Sequence, residues 1–399
     1  MKSLEFFNHH LDDFLGELRA LTEIEAPTGD PENLDRAAAY ISELLDPLGD
    51  LTSEDLEDHG RLLRVDRRGT GPRVLLLAHY DTVWPPGSWP APWRVDGGRV
   101  YGPGVYDMKG GLLFIPWLLR YLEISGLAHP HLEVLLNPDE EIGSPASRGH
   151  IEEAARRADF VLVLEPTNLE GDLKLERKGS GEYVVTVHGR ATHQGVEPER
   201  GVNAVVEAAH QLLHLLELED PGLGTTVGPN MIAGGRASNM VPDLAEIRVD
   251  VRAWSLSETE RIDAALQDLR PKLDGARVHV SGGWNRPPME ASDSSFALFE
   301  HARERGADLG LDLKWVRWGG SSDANLAAAV GATTVDGFGP VGEGAHQLDE
   351  CIVISEVPRR LALLAELVIS LARSQPVAPE FNSSSAPSEG EKTRLGGMP

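Results

Sequence analysis

Histidine and acidic residues that could bind a metal ion follow short apolar segments of this chain. His79-Tyr80-Asp81 comes directly after the apolar run at 73–78. One ring nitrogen of a histidine can bind a metal, while a carboxylate orients the other ring nitrogen and makes the imidazole a better ligand. Alone, the pair predicts little, because an isolated His-x-Asp is more often a surface pair than a metal site.

A second candidate ligand, Asp107, lies in the glycine-dense segment 102–111, just ahead of a predicted helix. Two other interpretations compete with metal binding. Aspartate is favoured as an N-cap because its side chain accepts hydrogen bonds from the first N–H groups of a helix. A glycine-rich turn could also bind phosphate, but the spacing here is not that of a P-loop.

Two adjacent acids, Glu140 and Glu141, follow the apolar segment 133–136. In a solvated turn they need no explanation, but at the end of a buried strand they need a cation or a proton to compensate. Their pairing suits a division of labour in which one carboxylate binds metal and the other acts as a base. Glu165, after the segment 160–164, and His346, in a glycine-rich loop, are each uninformative alone.

The combination of these residues predicts a metal site, because four of the candidates end successive apolar strands or open the next helix. Carboxylates together with imidazole suit zinc, which manganese or cobalt could replace. A site with five such ligands can hold two ions that share a bridging carboxylate and a bridging water. We therefore predict two Zn²⁺ ions per subunit, with Co²⁺ or Mn²⁺ as substitutes.

The elements around these motifs alternate between apolar strands and amphipathic helices, which predicts an α/β core with a largely parallel sheet. Loops at the carboxyl ends of parallel strands are where α/β proteins place their sites. The predicted strands of this core are 73–78, 133–136 and 160–164, and its predicted helices are 8–24, 32–47, 110–122, 146–157 and 355–372.

After residue 178 the pattern changes to β-α-β-β-α-β, the order of a ferredoxin-like unit. Its predicted strands are 182–187, 225–233, 245–253 and 277–281, and its predicted helices are 203–218 and 257–273. We therefore predict a catalytic domain in two parts, 1–178 and 289–373, with a small domain inserted at 179–288. The tail at 374–399 is rich in Pro, Ser, Gly and Glu, which predicts disorder.

The composition and net charge of the chain limit which partners and which cellular location we expect. The chain has 399 residues and a formal net charge of −26, which argues against nucleic acid and anionic membrane as partners, because both are polyanions. No apolar run approaches the roughly 20 residues that span a bilayer. The N-terminus does not resemble a secretory signal, and the one cysteine, Cys351, excludes an internal disulfide. Both features predict a cytoplasmic protein.

Eight segments of the chain resemble the M20 family of metallopeptidases, specifically its glutamate carboxypeptidase-like branch. The matching strings, in family order, are AHYDTV, GPGVYDMKGG, NPDEEIGS, LEPT, GRATHQGVEPERGVNA, SNMVPDLAEIRVDVR, GGSSDAN and GAHQLDE. Ordered matches from about residue 4 to 372 are far more specific than any one string. The resemblance implies a zinc-exopeptidase-like catalytic domain and an inserted α+β dimerisation or lid domain, in agreement with the separate prediction for 179–288.

The resemblance also implies roles for the candidate residues. Asp107 would bridge two metal ions, Asp81 would orient His79, and Glu140 would be the general base. The metal ligands that it implies are His79, Asp107, Glu141, Glu165 and His346.

A homodimer is implied as well, in which His193 reaches into the active site of the partner subunit. Residue chemistry alone would favour a satisfied turn histidine. Asn239 and Arg252 match positions that contact the substrate and its carboxylate. Lys174 and Arg286, predicted at the two junctions between the domains, match positions that bind the side-chain carboxylate in glutamate-specific relatives. The alternative is that both are solvated charges at a hinge.

These roles predict a hydrolase that cleaves the amide bond of a small peptide or N-acyl amino acid with a free carboxylate. Glu140 would take a proton from the zinc-activated water and return it to the leaving amine. His193 would help to stabilise the oxyanion. Two segments depart from the family pattern: the Pro- and Trp-rich string at 84–93, which we expect at the rim of the substrate pocket, and the serine-containing loop at 319–323. Both concern which substrate side chain the pocket prefers.

Three other functions compete with this prediction. A deacylase of acetylornithine or succinyl-diaminopimelate would use the same chemistry with a different pocket. A metal-binding scaffold without activity would need ligands but no base, so Glu140 argues against it. A hydrolase with a nucleophilic Ser or Cys is a third option, but the chain has no Gly-x-Ser-x-Gly string at a strand-to-helix turn, and Cys351 has no obvious base nearby in sequence.

Overall fold

The computed structural model describes residues 2–373, so the tail at 374–399 lies outside the described residues. Within 2–373 the α-helices are α1 (Ser3–His9), α2 (Leu11–Glu23), α3 (Pro31–Leu45), α4 (Gly110–Ser125), α5 (Arg148–Arg157), α6 (Ala204–Leu216), α7 (Leu256–Gln267), α8 (Asp293–Asp308), α9 (Asp323–Ala329) and α10 (Val357–Leu371). The strands are β1 (Asp50–Leu56), β2 (Gly60–Arg67), β3 (Arg73–His79), β4 (Arg94–Asp96), β5 (Arg99–Tyr101), β6 (His131–Asn137), β7 (Phe160–Val163), β8 (Leu173–Arg177), β9 (Gly179–His188), β10 (Thr192–His193), β11 (Thr226–Gly234), β12 (Met240–Val241), β13 (Leu244–Ala253), β14 (Arg277–Arg286), β15 (Trp315–Trp318), β16 (Thr334–Asp336), β17 (Gly342–Glu343) and β18 (Cys351–Val353).

The larger sheet has eight strands in the order β1-β2-β6-β3-β7-β16-β8-β15. Its centre is parallel: β3 pairs with β6 on one side and with β7 on the other, and β7 pairs with β16. This confirms the predicted α/β class and the mostly parallel sheet. Antiparallel pairs occur where β2 meets β6, where β1 meets β2, and where β8 meets β16.

Strand β3 explains why the central strands are apolar without alternation. Val74 and Leu76 pack into one core, with residues of α2, α3, α4 and α10. Leu75 and Leu77 point to the other face and pack with residues of α5 and α9. Because helices cover both faces, every side chain of the strand centre is buried, as is usual for parallel sheets.

The second sheet has four strands in the order β11-β13-β9-β14, all paired antiparallel. With α6 and α7, its elements follow the predicted β-α-β-β-α-β order, and its strands alternate between buried and exposed residues. It has a core of its own that includes Tyr183, Val185, Ile247 and Val249. The boundaries 179 and 288 stay a prediction, and the strands of this sheet run from Gly179 to Arg286.

Near the N-terminus the structure differs from the prediction in two details. The helix predicted at 8–24 is present as α2, but it begins at Leu11, because the chain breaks at His10 after the separate helix α1. Strands β1 and β2 were not predicted. The edge strand β1, Asp50–Leu56, is largely exposed and charged, so it lacks the alternation of a half-buried strand. Within 2–373, no helix combines the length and the hydropathy needed to cross a bilayer.

Candidate metal centre and active site

Three neighbouring parallel strands bring most of the predicted site residues to one edge of the large sheet. His79 is the last residue of β3. Glu140 and Glu141 begin a short helical turn after β6, and Glu165 lies two residues after β7. Because β6, β3 and β7 lie side by side and run parallel, their carboxyl ends open at the same place.

Asp107 reaches this edge from a tight segment that precedes α4. The residue before α4 is Lys109, so Asp107 does not cap that helix, and the N-cap alternative is excluded. Glycine is required at both ends of the segment. Gly104 has a φ of +75°, and a Cβ on Gly111 would lie 1.9 Å from the carbonyl oxygen of Leu164. The density of glycines in the sequence thus reflects close packing of this segment against the end of β7.

Asp81 is fully buried and contacts both sides of the site. Its Oδ1 lies 3.2 Å from Nδ1 of His79. The same carboxylate accepts hydrogen bonds from the backbone N–H groups of Glu140 and Glu141, at 3.2 and 3.1 Å, and from the hydroxyl of Thr28. It can therefore fix the ring of His79, as the sequence predicted, and it also fixes the turn that carries the two glutamates.

Asp107 lies between two groups of side chains. Its Oδ1 is 3.3 Å from Nε2 of His79, and that nitrogen is 3.7 Å from Oε1 of Glu165. Its Oδ2 is 3.6 Å from Nε2 of His346, and that nitrogen is 3.1 Å from Oε2 of Glu141. Atoms of His79, Asp107 and Glu141 lie within 4.8 Å of one another, a spacing that could hold a metal ion.

Charge and unsatisfied polar atoms both indicate that a cation belongs here. In the described chain, Nε2 of His79 and Oε1 of Glu141 are buried and make no hydrogen bond, which is costly unless a metal binds them. Burial raises the pKa of Glu141 to about 7 and that of Glu165 to about 8, and the charge of Asp107 adds to both. The contact with Glu141 raises the pKa of His346 to about 9. These donors fit divalent zinc, manganese or cobalt.

Glu140 stands beside this cluster and is held by an arginine. Nη2 of Arg286 lies 2.9 Å from Oε1 of Glu140 and 2.9 Å from Oδ1 of Asp323. Asp323 in turn accepts hydrogen bonds from Ser144 and Asn137. Burial raises the pKa of Glu140 to about 8, and the positive charge of Arg286 opposes that rise. Arg286 is buried, so the alternative of a solvated hinge charge is excluded for it.

The cluster opens into a cavity of about 830 Å³ between the two sheets. Arg248, Asp250 and Arg252 of β13 line it together, as their spacing on an alternating strand predicted. Arg252 is paired with Asp250 at 2.8 Å. Gly319, Gly320 and Ser321 line the opposite wall. The Pro- and Trp-rich string at 84–93 does not line the cavity; the rings of Trp84 and Trp89 pack edge to face against each other instead.

Lys174 was predicted at a junction between the domains. The structure places it inside β8 of the large sheet instead. It is buried, and its Nζ lies 4.8 Å from the centre of the Trp318 ring, so it is not a solvated hinge charge either. Burial lowers the pKa of Lys174 to about 8, and the nearby Arg177 contributes. Arg177 was not predicted, yet it is buried, pairs with Asp336 and lines the cavity.

His193 and Asn239 lie apart from this cavity. Both are exposed, and neither is among its lining residues. They are neighbours of each other: His193 pairs with Met240 in the small β10–β12 ladder, and the carbonyl oxygen of Asn239 accepts a hydrogen bond from Gln194. The described chain therefore unites the predicted metal ligands with Glu140, Arg252 and Arg286, but not with these two residues.

An α/β fold whose parallel strands end in a cluster of carboxylates and imidazoles defines a candidate metal-binding protein. The chain belongs to the peptidase family M20: the model of "Peptidase family M20/M25/M40" matches residues 75–370. It is therefore a hydrolase of the metallopeptidase and amidohydrolase type, from a metal-dependent family.

Individual relatives agree with this assignment. The chain is 36% identical to carboxypeptidase G2 of Pseudomonas sp. (strain RS-16) over 374 residues, which are 89% of this chain and 88% of that protein. It is 31% identical to succinyl-diaminopimelate desuccinylase of Rhodospirillum centenum, over 72% of this chain and 78% of that protein. The structure of aminopeptidase PepT from Bacillus cereus is similar in fold, with a TM-score of 0.76, 21% identity, and coverage of 91% of this chain and 99% of that one.

Proposed function

We propose that the protein is a dinuclear zinc hydrolase that releases a C-terminal amino acid, preferably glutamate, from a small peptide or N-acyl amino acid. The observation that carries the proposal is the position of Asp107, with one oxygen toward His79 and the other toward His346. A carboxylate so placed suits a bridge between two ions. The similarity to carboxypeptidase G2 supports the release of a C-terminal residue.

In this mechanism each residue of the chain has a defined task. When bound, the ions supply Lewis acidity, which polarises the scissile carbonyl and brings the pKa of water toward neutrality. Glu140 accepts the proton of the attacking water and returns it to the leaving amine. Asp81 holds the ring of His79 for binding. Arg286 keeps the carboxylate of Glu140 in place through the contact at 2.9 Å.

Cationic side chains in and beside the cavity support a substrate with carboxylates. Arg252 is our candidate for the α-carboxylate, because a guanidinium can hold a carboxylate with two parallel hydrogen bonds. Lys174 and Arg286 are our candidates for the side-chain carboxylate of glutamate. A charged hydrogen bond contributes about 1.5–3 kcal/mol, which corresponds to roughly tenfold or greater preference over an uncharged side chain.

The inserted sheet has features that support a homodimer. Strand β11 is an edge strand, and its Met231 and Ile232 are 63% and 48% exposed. The neighbouring helix α6 exposes Leu213 and Leu216. In a homodimer, the second subunit could pair with the open edge of β11 and cover the apolar face of α6. In such a dimer, His193 and Asn239 would act in the active site of the partner subunit, where His193 would donate a hydrogen bond to the oxyanion.

The substrate proposal is tested with matched N-acyl derivatives of glutamate, glutamine and leucine. We expect kcat/KM for glutamate to exceed that for glutamine at least about tenfold in the zinc-loaded wild type. Arg286→Ala should slow all three substrates, because it also releases Glu140, and should in addition abolish the preference for glutamate. Lys174→Ala should reduce the preference. Arg148→Ala is the control, since Arg148 contacts the nearby backbone oxygen of Asn285 but does not line the cavity.

Equal rates on all three substrates, unchanged in both variants, would remove the preference for glutamate. Cleavage of an α-amide as fast as the free acid would remove the carboxypeptidase assignment and Arg252 with it. The second candidate is a deacylase, favoured by the similarity to succinyl-diaminopimelate desuccinylase. Faster turnover of N-acetylornithine or N-succinyl-diaminopimelate than of any N-acyl-glutamate would select it.

A further inference from the structure

Glu350 is a fully buried carboxylate that is not part of the proposed ligand set. It directly precedes β18 and lies four residues after His346. Burying a carboxylate is costly unless its oxygens are fully hydrogen-bonded or paired with a cation. In the described chain no lysine or arginine forms an ion pair with Glu350, so its hydrogen bonds must provide that compensation.

Four donors converge on the two oxygens of Glu350. Oε1 accepts from the backbone N–H groups of Tyr106 and Asp107, both at 2.9 Å. Oε2 accepts from the backbone N–H of Gly104 at 3.1 Å and from the indole N–H of Trp84 at 3.0 Å. Both oxygens are thus acceptors only, and two donors point at each of them.

These contacts join three segments that carry proposed metal ligands. The three backbone N–H groups belong to the tight segment before α4. That segment carries Asp107, whose side chain faces His79 and His346. Trp84 follows His79 by five residues and Asp81 by three. Glu350 itself is tied to the loop of His346, because its N–H donates to Gln347 at 3.0 Å. One carboxylate therefore connects the segments of three proposed ligands that are far apart in sequence.

We propose that Glu350 is a positioning residue that holds the segments of Asp107 and His346 at the spacing required by two metal ions. The inference rests on the proposed function, since it assumes that these residues bind metal. Glu350 does not line the cavity, so it acts on the reaction only through the ligands. Removal of groups that orient metal ligands typically costs about 10–100-fold in metal affinity.

The test variant is Glu350→Gln, which keeps the shape of the side chain but turns one of its acceptors into an N–H₂ donor. Zinc affinity is measured by competition with a chromophoric chelator, and zinc content by elemental analysis. We expect about 10–100-fold weaker binding of zinc. We also expect kcat to fall at limiting zinc and to recover at high zinc, with little change in KM. Trp84→Phe, which removes a single donor, should weaken zinc binding less.

Glu207→Gln is a matched control for the loss of a buried carboxylate. Glu207 is also fully buried and accepts backbone N–H groups, from Lys272 at 3.0 Å and from Leu273 at 2.7 Å, but it lies in the inserted sheet region. The variant Glu207→Gln should lower the melting temperature without changing the affinity for zinc. If Glu350→Gln also lowers only the melting temperature, or if kcat fails to recover at high zinc, the inference is overturned and the proposed function stands. If the wild type binds no zinc, both the inference about Glu350 and the proposed zinc-dependent function are overturned.

Discussion

At the level of single residues, the site concentrates negative charge that the fold alone does not neutralise. Glu140, Glu141, Glu165 and Asp107 lie around His79, and burial raises the pKa values of the three glutamates. Like charges in a buried cluster repel one another strongly. A divalent cation removes that repulsion and satisfies the unpaired atoms, so the geometry is more easily understood as a metal site than as a structural network.

Glu140 provides the sharpest test of roles among the acids. Glu140→Gln should retain both zinc ions and lose about 10²–10⁴-fold in kcat, because the base is removed and the ligands remain. The contact to Arg286 can survive, since the amide oxygen of glutamine still accepts a hydrogen bond. The measurements are kcat and zinc content on the same protein sample.

The neighbouring residue supplies the control. Glu141→Gln should lose zinc along with activity, because Oε2 of Glu141 faces His346 and its Oε1 is otherwise without a partner in the described chain. The opposite result, zinc lost with Glu140→Gln and kept with Glu141→Gln, would show that the two roles are interchanged.

At the level of elements, the sequence identifies the part of the fold that depends on local pattern. The apolar run before His79 indicated a buried strand, and the acids that follow each such run were placed together once the strands were taken as parallel. The edge strand Asp50–Leu56 has no such pattern, because Leu56 is its only buried residue. Prediction therefore worked best where burial is complete.

Buried charges were the part that sequence could not place. Arg177 and Glu350 are as polar as any surface residue, and only tertiary contacts bury them. A weak signal existed for Glu350, since an acid directly before a buried strand ends the string GAHQLDE. No comparable signal marks Arg177, because its partner Asp336 lies 159 residues away in sequence.

The inserted sheet makes a prediction about assembly. Ile232→Lys together with Leu213→Lys should convert a dimer to a monomer, because both residues expose apolar surface beside the open edge of β11 and charge at an edge opposes pairing. Sedimentation velocity measures the change. Ile124→Lys, at a residue that is 70% exposed on α4, is the control and should leave the mass unchanged. A wild type that is monomeric at micromolar concentration would contradict the proposal.

A second prediction at this scale concerns the exposed His193. If it completes the site of the partner subunit, mixed dimers of His193→Ala and Glu140→Ala subunits contain one intact site. Random exchange at equal amounts should then restore about a quarter of wild-type activity, since half of the dimers are mixed and each has one working site. No gain after verified subunit exchange would place His193 outside the chemistry of the partner.

For the whole molecule, metal binding should be coupled to stability as well as to activity. A ligand that binds only the folded state stabilises it by about 4 kcal/mol at a concentration 1,000 times its Kd. For a chain of 399 residues that corresponds to about 5 °C in melting temperature. Chelation should therefore abolish turnover and lower the melting temperature together, and zinc or cobalt should restore both.

The net charge of −26 dictates how that experiment must be controlled. An acidic surface attracts divalent cations weakly, and this attraction is screened by salt, whereas ions in a buried site are not displaced in that way. Zinc should therefore be counted after gel filtration at high ionic strength, where we expect two ions per chain in the wild type and fewer in Glu141→Gln. Magnesium should not restore activity, because it prefers an octahedral oxygen shell and these ligands include two imidazoles. Full turnover by the chelated enzyme, with zinc shown to be absent, would exclude the metal mechanism altogether.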